Sequence, residues 1–205
     1  MTLEEGIQLK GFGVEIPNIG RDDLPQFFVE RGYKVGAEIG TYKGEFCEKF
    51  CQAGLKMYAI DPWKTYNNYH RHPQEKPYDE LYEEAKTRLA PYDCTLIRKQ
   101  SMEALADIPN DSLDFVYIDG NHTIRYVIED LYEWYRKVKV GGAICGHDYG
   151  ITNRSAYRTQ ACHVKYAVDL MAKILGIENW YILGTKNSVP GEKRDKWRSF
   201  LWIKT

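Results

Sequence analysis

The chain has 205 residues, with 28 Lys and Arg against 29 Asp and Glu, for a formal net charge of -1. It lacks the basic excess that a broad DNA or RNA footprint needs, so nucleic acid is disfavoured as a partner. With 43% hydrophobic and 28% charged residues and no apolar run of membrane-spanning length, the composition is that of a globular chain able to bury a core, with no membrane partner expected.

The opening Met1-Thr2-Leu3-Glu4-Glu5 is acidic where a secretory signal is basic, and a cytoplasmic location is expected. Five cysteines, Cys47, Cys51, Cys94, Cys145 and Cys162, form no C-x-x-C pair. They read as small buried hydrophobes in a reducing compartment, with Cys47 and Cys51 on one face of a helix.

Residues 1–20 are weakly patterned and read as an irregular arm. Asp22-Asp23-Leu24-Pro25 then opens a helix ending near Gly32, so that 1–32 is an N-terminal arm and helix. Val35, Ala37 and Ile39 mark a buried strand that runs into a turn at Gly40, followed by a helix from about Gly44 to Ala53. In an open α/β sheet, ligands bind beyond the carboxyl ends of the strands, and Gly40 leaves space for a ligand to approach the backbone. Glu38 is the distinguishing residue. A carboxylate repels phosphate at such a turn but suits an α-ammonium group, which favours S-adenosylmethionine (SAM) over NAD.

Lys56 to Asp61 is a short strand ending in an acid, about twenty residues past the glycine turn. At that spacing a carboxylate meets the two ribose hydroxyls; its alternative role is to cap the turn before Pro62. Residues 62–77 form a long polar and aromatic loop, a candidate lid, in which His70 and His72 flank Arg71 and read as solvated. A helix over Tyr78 to Leu89 and a strand over Thr95 to Arg98 follow. Gln100 and Ser101 come next, and Ser101 either caps a short helix or sets its hydroxyl beside the cofactor's base.

Leu113 to Ile118 is a strand ending in Asp119-Gly120-Asn121-His122. A helix is predicted over Ile124 to Val138, then Gly141-Gly142 and a strand from Ala143 to Gly146 that ends in His147-Asp148-Tyr149. Two consecutive strands thus deliver Asp119, His122, His147 and Asp148 to one rim, the strongest catalytic signal in the chain. The plainer alternative has Asp119 touching only the cofactor and His122 capping the helix. Residues 149–161 are a second candidate substrate loop, carrying Arg154 and Arg158, which read as solvated. The helix over Cys162 to Leu175 is expected to turn Val164, Val168, Leu170, Met171 and Ile174 to the core. Strands at Trp180 to Gly184 and Trp197 to Ile203 add an antiparallel edge. No break divides the chain, so 1–205 is expected to be one domain.

Taken together, E-I-G-T-Y-K-G, A-I-D-P-W, I-D-G-N-H and G-G-A-I-C-G-H-D-Y resemble the class I SAM-dependent methyltransferases. The nearest branch is the small O-methyltransferases similar to macrocin O-methyltransferase, and the resemblance covers roughly residues 33 to 150. It implies a Rossmann-like α/β fold with helices on both faces of a mostly parallel seven-stranded sheet. The strand order is 3-2-1-4-5-7-6, with strand 7 antiparallel. It also implies that Glu38, Gly40, Thr41, Tyr42 and Gly44 hold the methionine end of SAM. Asp61, with Pro62 and Trp63, would take the ribose, and Gln100 and Ser101 the adenine. Asp119 and Asp148 match positions that bind a divalent metal, Mg²⁺ or another hard cation, in related enzymes such as the catechol O-methyltransferases. There an Asn follows the second Asp, whereas this chain has Tyr149. His147 is expected to point away from Asp148 because neighbours on a strand face opposite ways.

The activity implied is transfer of the SAM methyl to a hydroxyl of a small molecule, a sugar or glycosylated metabolite being the family's suggestion. Proton removal would fall to the metal on Asp119 and Asp148, or to His122 or His147 as general base. The alternatives are an NAD(P)-dependent oxidoreductase, for which G-x-G-x-x-G is missing, and a non-catalytic nucleoside-binding module on the same fold. Sixteen tyrosines and five tryptophans permit a homodimer.

Overall fold

In the computed structural model, residues 1–64, 77–152, 161–187 and 190–205 are described. Residues 65–76 and 153–160, with His70, Arg71, His72, Arg154 and Arg158, lie outside the described residues, as does most of each candidate loop. The helices are α1 (Leu3–Gly6), α2 (Leu24–Glu30), α3 (Glu45–Gln52), α4 (Tyr78–Leu89), α5 (Ser101–Ala104), α6 (Ile124–Tyr135) and α7 (Val164–Ile174). The strands are β1 (Phe12–Ile16), β2 (Val35–Ile39), β3 (Lys56–Ile60), β4 (Cys94–Ile97), β5 (Leu113–Ile118), β6 (Val138–Gly146), β7 (Trp180–Leu183) and β8 (Ser199–Ile203). They form one eight-stranded sheet in the order β1-β7-β8-β6-β5-β2-β3-β4. Among the described strands only β8 runs antiparallel to its neighbours, β6 and β7.

Without β1, the order is the seven-stranded one expected from the sequence. The arm departs from expectation. Residues 1–20 contribute a capped turn of helix and a strand, β1, that pairs in parallel with β7. Its alternation is masked because three of its five residues are only half-buried and Phe12 is exposed.

Strand alternation distributes side chains to two cores. From β5, Val116 and Ile118 join α6 and α7 on one face, while Phe115 and Tyr117 join α2 and α3 on the other. The α6 helix stops at Tyr135, and Val138 already pairs with Leu113 as the first residue of β6. Gly141 and Gly142 therefore lie inside a strand. The register jumps from Leu113↔Val138 to Phe115↔Ala143, a bulge that the helical spacing of Val138 disguised. In α7, Leu170 and Ile174 face outward at 44% and 60% exposure, and Ala167 and Ala172 take the core positions instead. Small residues let this helix lie close to the sheet, and the sequence reading weighed only large ones. No described helix is long and apolar enough to cross a membrane.

Gly36 faces the Phe115 ring, which stacks on Phe28 at 4.3 Å and lies 5.0 Å from Phe50. An added Cβ would fall inside that ring. Gly36→Ala is expected to cost roughly 1–3 kcal/mol, the usual penalty for overpacking, read as a lower denaturant midpoint. An unchanged midpoint would show that the aromatic cluster can shift.

Candidate active site

The turns following β2 and β5 touch. Gly40 has φ +93, and a Cβ there would lie 2.6 Å from the Gly120 Cα and closer still to the Asp119 carbonyl. The glycine is thus required by the neighbouring turn, and it lines the cavities on both sides of it. Two hydrogen bonds set the contact: the Gly40 N–H donates to the Ile60 carbonyl at 2.8 Å, and the Asp119 N–H to the Ile39 carbonyl at 2.8 Å.

A cavity opens on each side of this junction, and both are lined by Gly40 and Asp119. The first, of about 250 Å³, lies among Asp61, Pro62, Gln100, Ser101, Tyr126 and Asp130. The second, of about 340 Å³, lies among Arg21, Glu38, Thr41, Tyr42, Lys43 and Phe46. Gly44 stands outside both as the N-cap of α3, with φ 77.

Asp61 ties the junction together. Its two carboxylate oxygens accept the N–H groups of Tyr42, at 3.0 Å, and Trp63, at 2.8 Å, while the Trp63 indole donates to the Tyr42 carbonyl at 2.7 Å. Asp61 therefore does cap its turn. A carboxylate has about four acceptor positions, and Asp61 still lines the first cavity. Trp63 is fully buried and packs on Tyr82.

Ser101 is not the cap of α5. That position belongs to Gln100, whose N–H donates to Glu103 at 3.0 Å. The Ser101 hydroxyl instead donates to Asp130 and accepts the Trp134 indole N–H at 2.7 Å. Asp130 is not marked in the sequence because it sits on the apolar stripe of α6, and its hydrogen-bond partner Ser101 is distant in the chain. Burial pushes its carboxyl up to about 7, and the Ser101 hydrogen bond opposes that shift.

Glu38 is 2% exposed, and its Oε2 has no hydrogen-bond partner among the described residues. Burial, and then the Asp119 charge, hold its carboxyl well above the usual carboxylate range. Arg21 was also missed. It comes from the turn before α2, lies over the Phe46 ring at 4.8 Å, and places its Nη1 3.7 Å from Asp119 Oδ2. Nothing in the local sequence marks Arg21, because the chain folds back over twenty residues to bring it there.

The four rim residues converge. His122 Nε2 lies 3.4 Å from Asp119 and 3.2 Å from Asp148. His147 Nδ1 lies 3.8 Å from Asp119 Oδ2 and 3.5 Å from Asp148 Oδ2. The expectation that His147 points away from Asp148 fails for a local reason. β6 ends at Gly146, and Asp148 has φ 55, a left-handed conformation that breaks strand alternation. Donor atoms of Asp119, His147 and Asp148 all fall within 4.8 Å of one another. Tyr149 turns away to the core, where its hydroxyl donates to Asp169 at 2.8 Å. His122 does not cap α6 either. Thr123 is the N-cap, and Asn121 Oδ1 accepts its N–H at 3.0 Å.

Residues 37–149, more than half of the chain, match the family model described as a methyltransferase domain. The chain belongs to that family, and its fold is that of the class I SAM-dependent methyltransferases. An uncharacterized protein, y4gI, of Sinorhizobium fredii is 29% identical over 121 residues, covering 54% of this chain and 12% of that protein. The chain thus matches about an eighth of that relative's length. Among solved structures, an O-methyltransferase from Bacillus cereus in complex with SAH superposes with a TM-score of 0.61 at 13% identity, covering 90% of this chain and 80% of that one. An rRNA methylase from Streptococcus thermophilus superposes with 0.59 at 14% identity, covering 88% and 93%. The fold alone therefore does not select the acceptor.

Asp130 generates a pH test. Its folded value near 7 exceeds its ordinary 3.8, so the folded chain binds the extra proton between the two. Stability should fall as pH rises from about 4 to about 7 and level off above. Asp130→Asn removes this dependence while keeping an acceptor for Ser101. Urea midpoints of the variant should gain on wild type across that window and then run parallel. A constant difference at all pH values would mean that Asp130 is ionised in the folded protein.

Proposed function

We propose that the protein transfers the methyl group of SAM to a hydroxyl oxygen of a small, polyhydroxylated acceptor. The observation that carries this reading is the convergence of His122, His147 and Asp148 on Asp119, which lines both cavities that meet at one glycine turn.

The cleft suits SAM along its length. Asp61 faces the ribose, and Gln100, Ser101 and Asp130 border the base. Glu38 supplies a buried acceptor, lacking a partner at Oε2, for the α-ammonium group, with Thr41 and Tyr42 beside it. Arg21, on the same cavity, takes the α-carboxylate. An NAD phosphate placed here would meet Glu38 and Asp119, and the family match is to methyltransferases.

The reaction is an in-line displacement. The acceptor oxygen attacks the sulfonium methyl, the carbon–sulfur bond breaks with its electrons left on sulfur, and the acceptor's proton must leave. His122 takes that proton at Nε2, and the two neighbouring carboxylates stabilise the imidazolium formed. Asp119, Asp148 and His147 have the donor types and spacing to hold a divalent cation, with Asp119 and Asp148 as hard oxygen ligands suited to Mg²⁺. Such an ion lowers the pKa of a bound hydroxyl. The site's other requirement is orientation, which Asp119 meets by standing between cofactor and acceptor.

Transfer of labelled methyl from SAM across a panel of hydroxylated acceptors, with and without chelator, tests the reading. Asp119→Ala is expected to abolish turnover while leaving SAM binding measurable, and full activity in that variant would remove Asp119 from the mechanism. Chelation should stop the reaction and Mg²⁺ restore it; turnover indifferent to chelator would leave proton removal to His122 alone. Separately, Arg21→Met should weaken SAM binding by roughly 10–100-fold, the worth of one charge-assisted hydrogen bond, in a calorimetric titration. Unchanged affinity would assign the carboxylate to other groups.

A further inference from the structure

Two thiols of α3 meet a third from a distant part of the chain. Cys47 and Cys51 share one face of that helix, and Cys94 opens β4 at the end of the strand away from the carboxyl rim. The Cys47 and Cys94 sulfurs are 3.9 Å apart, and all three Sγ atoms lie within 4.8 Å of one another. All are free thiols. The surroundings are apolar, with Phe50, Met57 and Leu89 in the same core cluster, while Cys94 is half-buried.

The other two cysteines show what ordinary buried thiols do here. Cys145 donates to the Val116 carbonyl at 3.2 Å, and Cys162 to the Asp148 carbonyl at 3.3 Å. Cys47, Cys51 and Cys94 instead face each other. Their spacing is well beyond the ~2.05 Å of a disulfide. An equilateral triangle with the 3.9 Å edge observed for one pair has its centre about 2.3 Å from each corner, the length of a zinc–thiolate bond. A small contraction of the wider pairs would bring all three to that length, and the ion needs no cavity beyond the space between the sulfurs.

We infer that Cys47, Cys51 and Cys94 form a binding site for a thiophilic d¹⁰ cation, Zn²⁺ or Cu⁺, separate from the oxygen-rich rim. The donor set is soft throughout, which selects these ions over Mg²⁺ or Ca²⁺. Three sulfurs satisfy Cu⁺ directly, while Zn²⁺ would add a water from the Cys94 side. The bound ion clamps α3, which begins at the cofactor turn, to strand β4. In such sites binding free energy becomes folding free energy.

The test uses the reduced, metal-stripped full chain with excess Mg²⁺ present to fill the rim. Cd²⁺ titration should produce a thiolate-to-metal charge-transfer band that saturates at one equivalent, with a rise in Tm. The band should vanish in Cys94→Ser and in Cys51→Ser. Competition by Zn²⁺, or by Cu⁺ under anaerobic conditions, then separates the two ions. X-ray absorption on the loaded wild type should show three sulfurs at about 2.3 Å with zinc or copper, a readout that does not depend on any variant folding. No band, a band that survives Cys94→Ser, or a native mass two hydrogens short with a disulfide among these cysteines would overturn the assignment.

Discussion

The approach of Gly40 to the Asp119 carbonyl is the constraint from which the rest of the site follows. Two parallel strands, β2 and β5, end at the same level and turn away in opposite directions, and the turns must pass without a side chain between them. That contact leaves a cavity on either side and sets Asp119 between them. It also brings Glu38 near enough to Asp119 for the Asp119 charge to add to burial in raising the Glu38 carboxyl. A bulkier residue at position 40 would therefore separate the two cavities as well as strain the backbone, so its effect would exceed that of a lost contact. Asp61 reinforces the arrangement from the third strand by accepting N–H groups from both the β2 and β3 turns.

The strands that build this junction were legible because each is short, apolar and ended by an acid or a glycine. Glu38, Asp61, Asp119 and Asp148 sit where a strand stops, and a carboxyl at a strand end is conspicuous in a sequence. What escaped notice depends on chain reversal or on local backbone geometry. Arg21 reaches Asp119 only because the N-terminal segment folds back and β1 joins the far edge of the sheet. Asp130 looks like a break in an amphipathic pattern until Ser101 is seen to donate to it while accepting the Trp134 indole N–H. His147 was misplaced by a rule valid inside strands and applied one residue past the end of one. A left-handed Asp148 is not written in the residue type, since Asp tolerates that conformation without requiring it.

The cysteines illustrate the same limit differently. Spacing alone joins Cys47 to Cys51 and says nothing of Cys94, which arrives through the register of β4 on β3. A pair four apart on a buried helix face is ordinary packing; a trio with sulfurs turned inward is a donor set. The difference lies wholly in tertiary structure, and it changes what the residues can bind.

The electrostatics of the rim bear on turnover as well as recognition. Glu38, Asp119 and Asp148 gather around a cleft where Arg21 lies beside Asp119 and the two histidines lie beside Asp119 and Asp148. On the methyl-transfer reading, the ligand enters with two positive centres, an ammonium beside Glu38 and a sulfonium near Asp119. After transfer the sulfur is neutral and the ammonium is unchanged. On that reading Glu38 holds substrate and product alike, while Asp119 loses the sulfonium charge and keeps Arg21 and the histidines beside it. On that reading, discrimination between the two rests with Asp119, through the charge that the sulfur loses. Under the methyl-transfer proposal, an acid at the junction would contribute twice: it would draw the charged cofactor in, and it would let go of the product that no longer carries that charge.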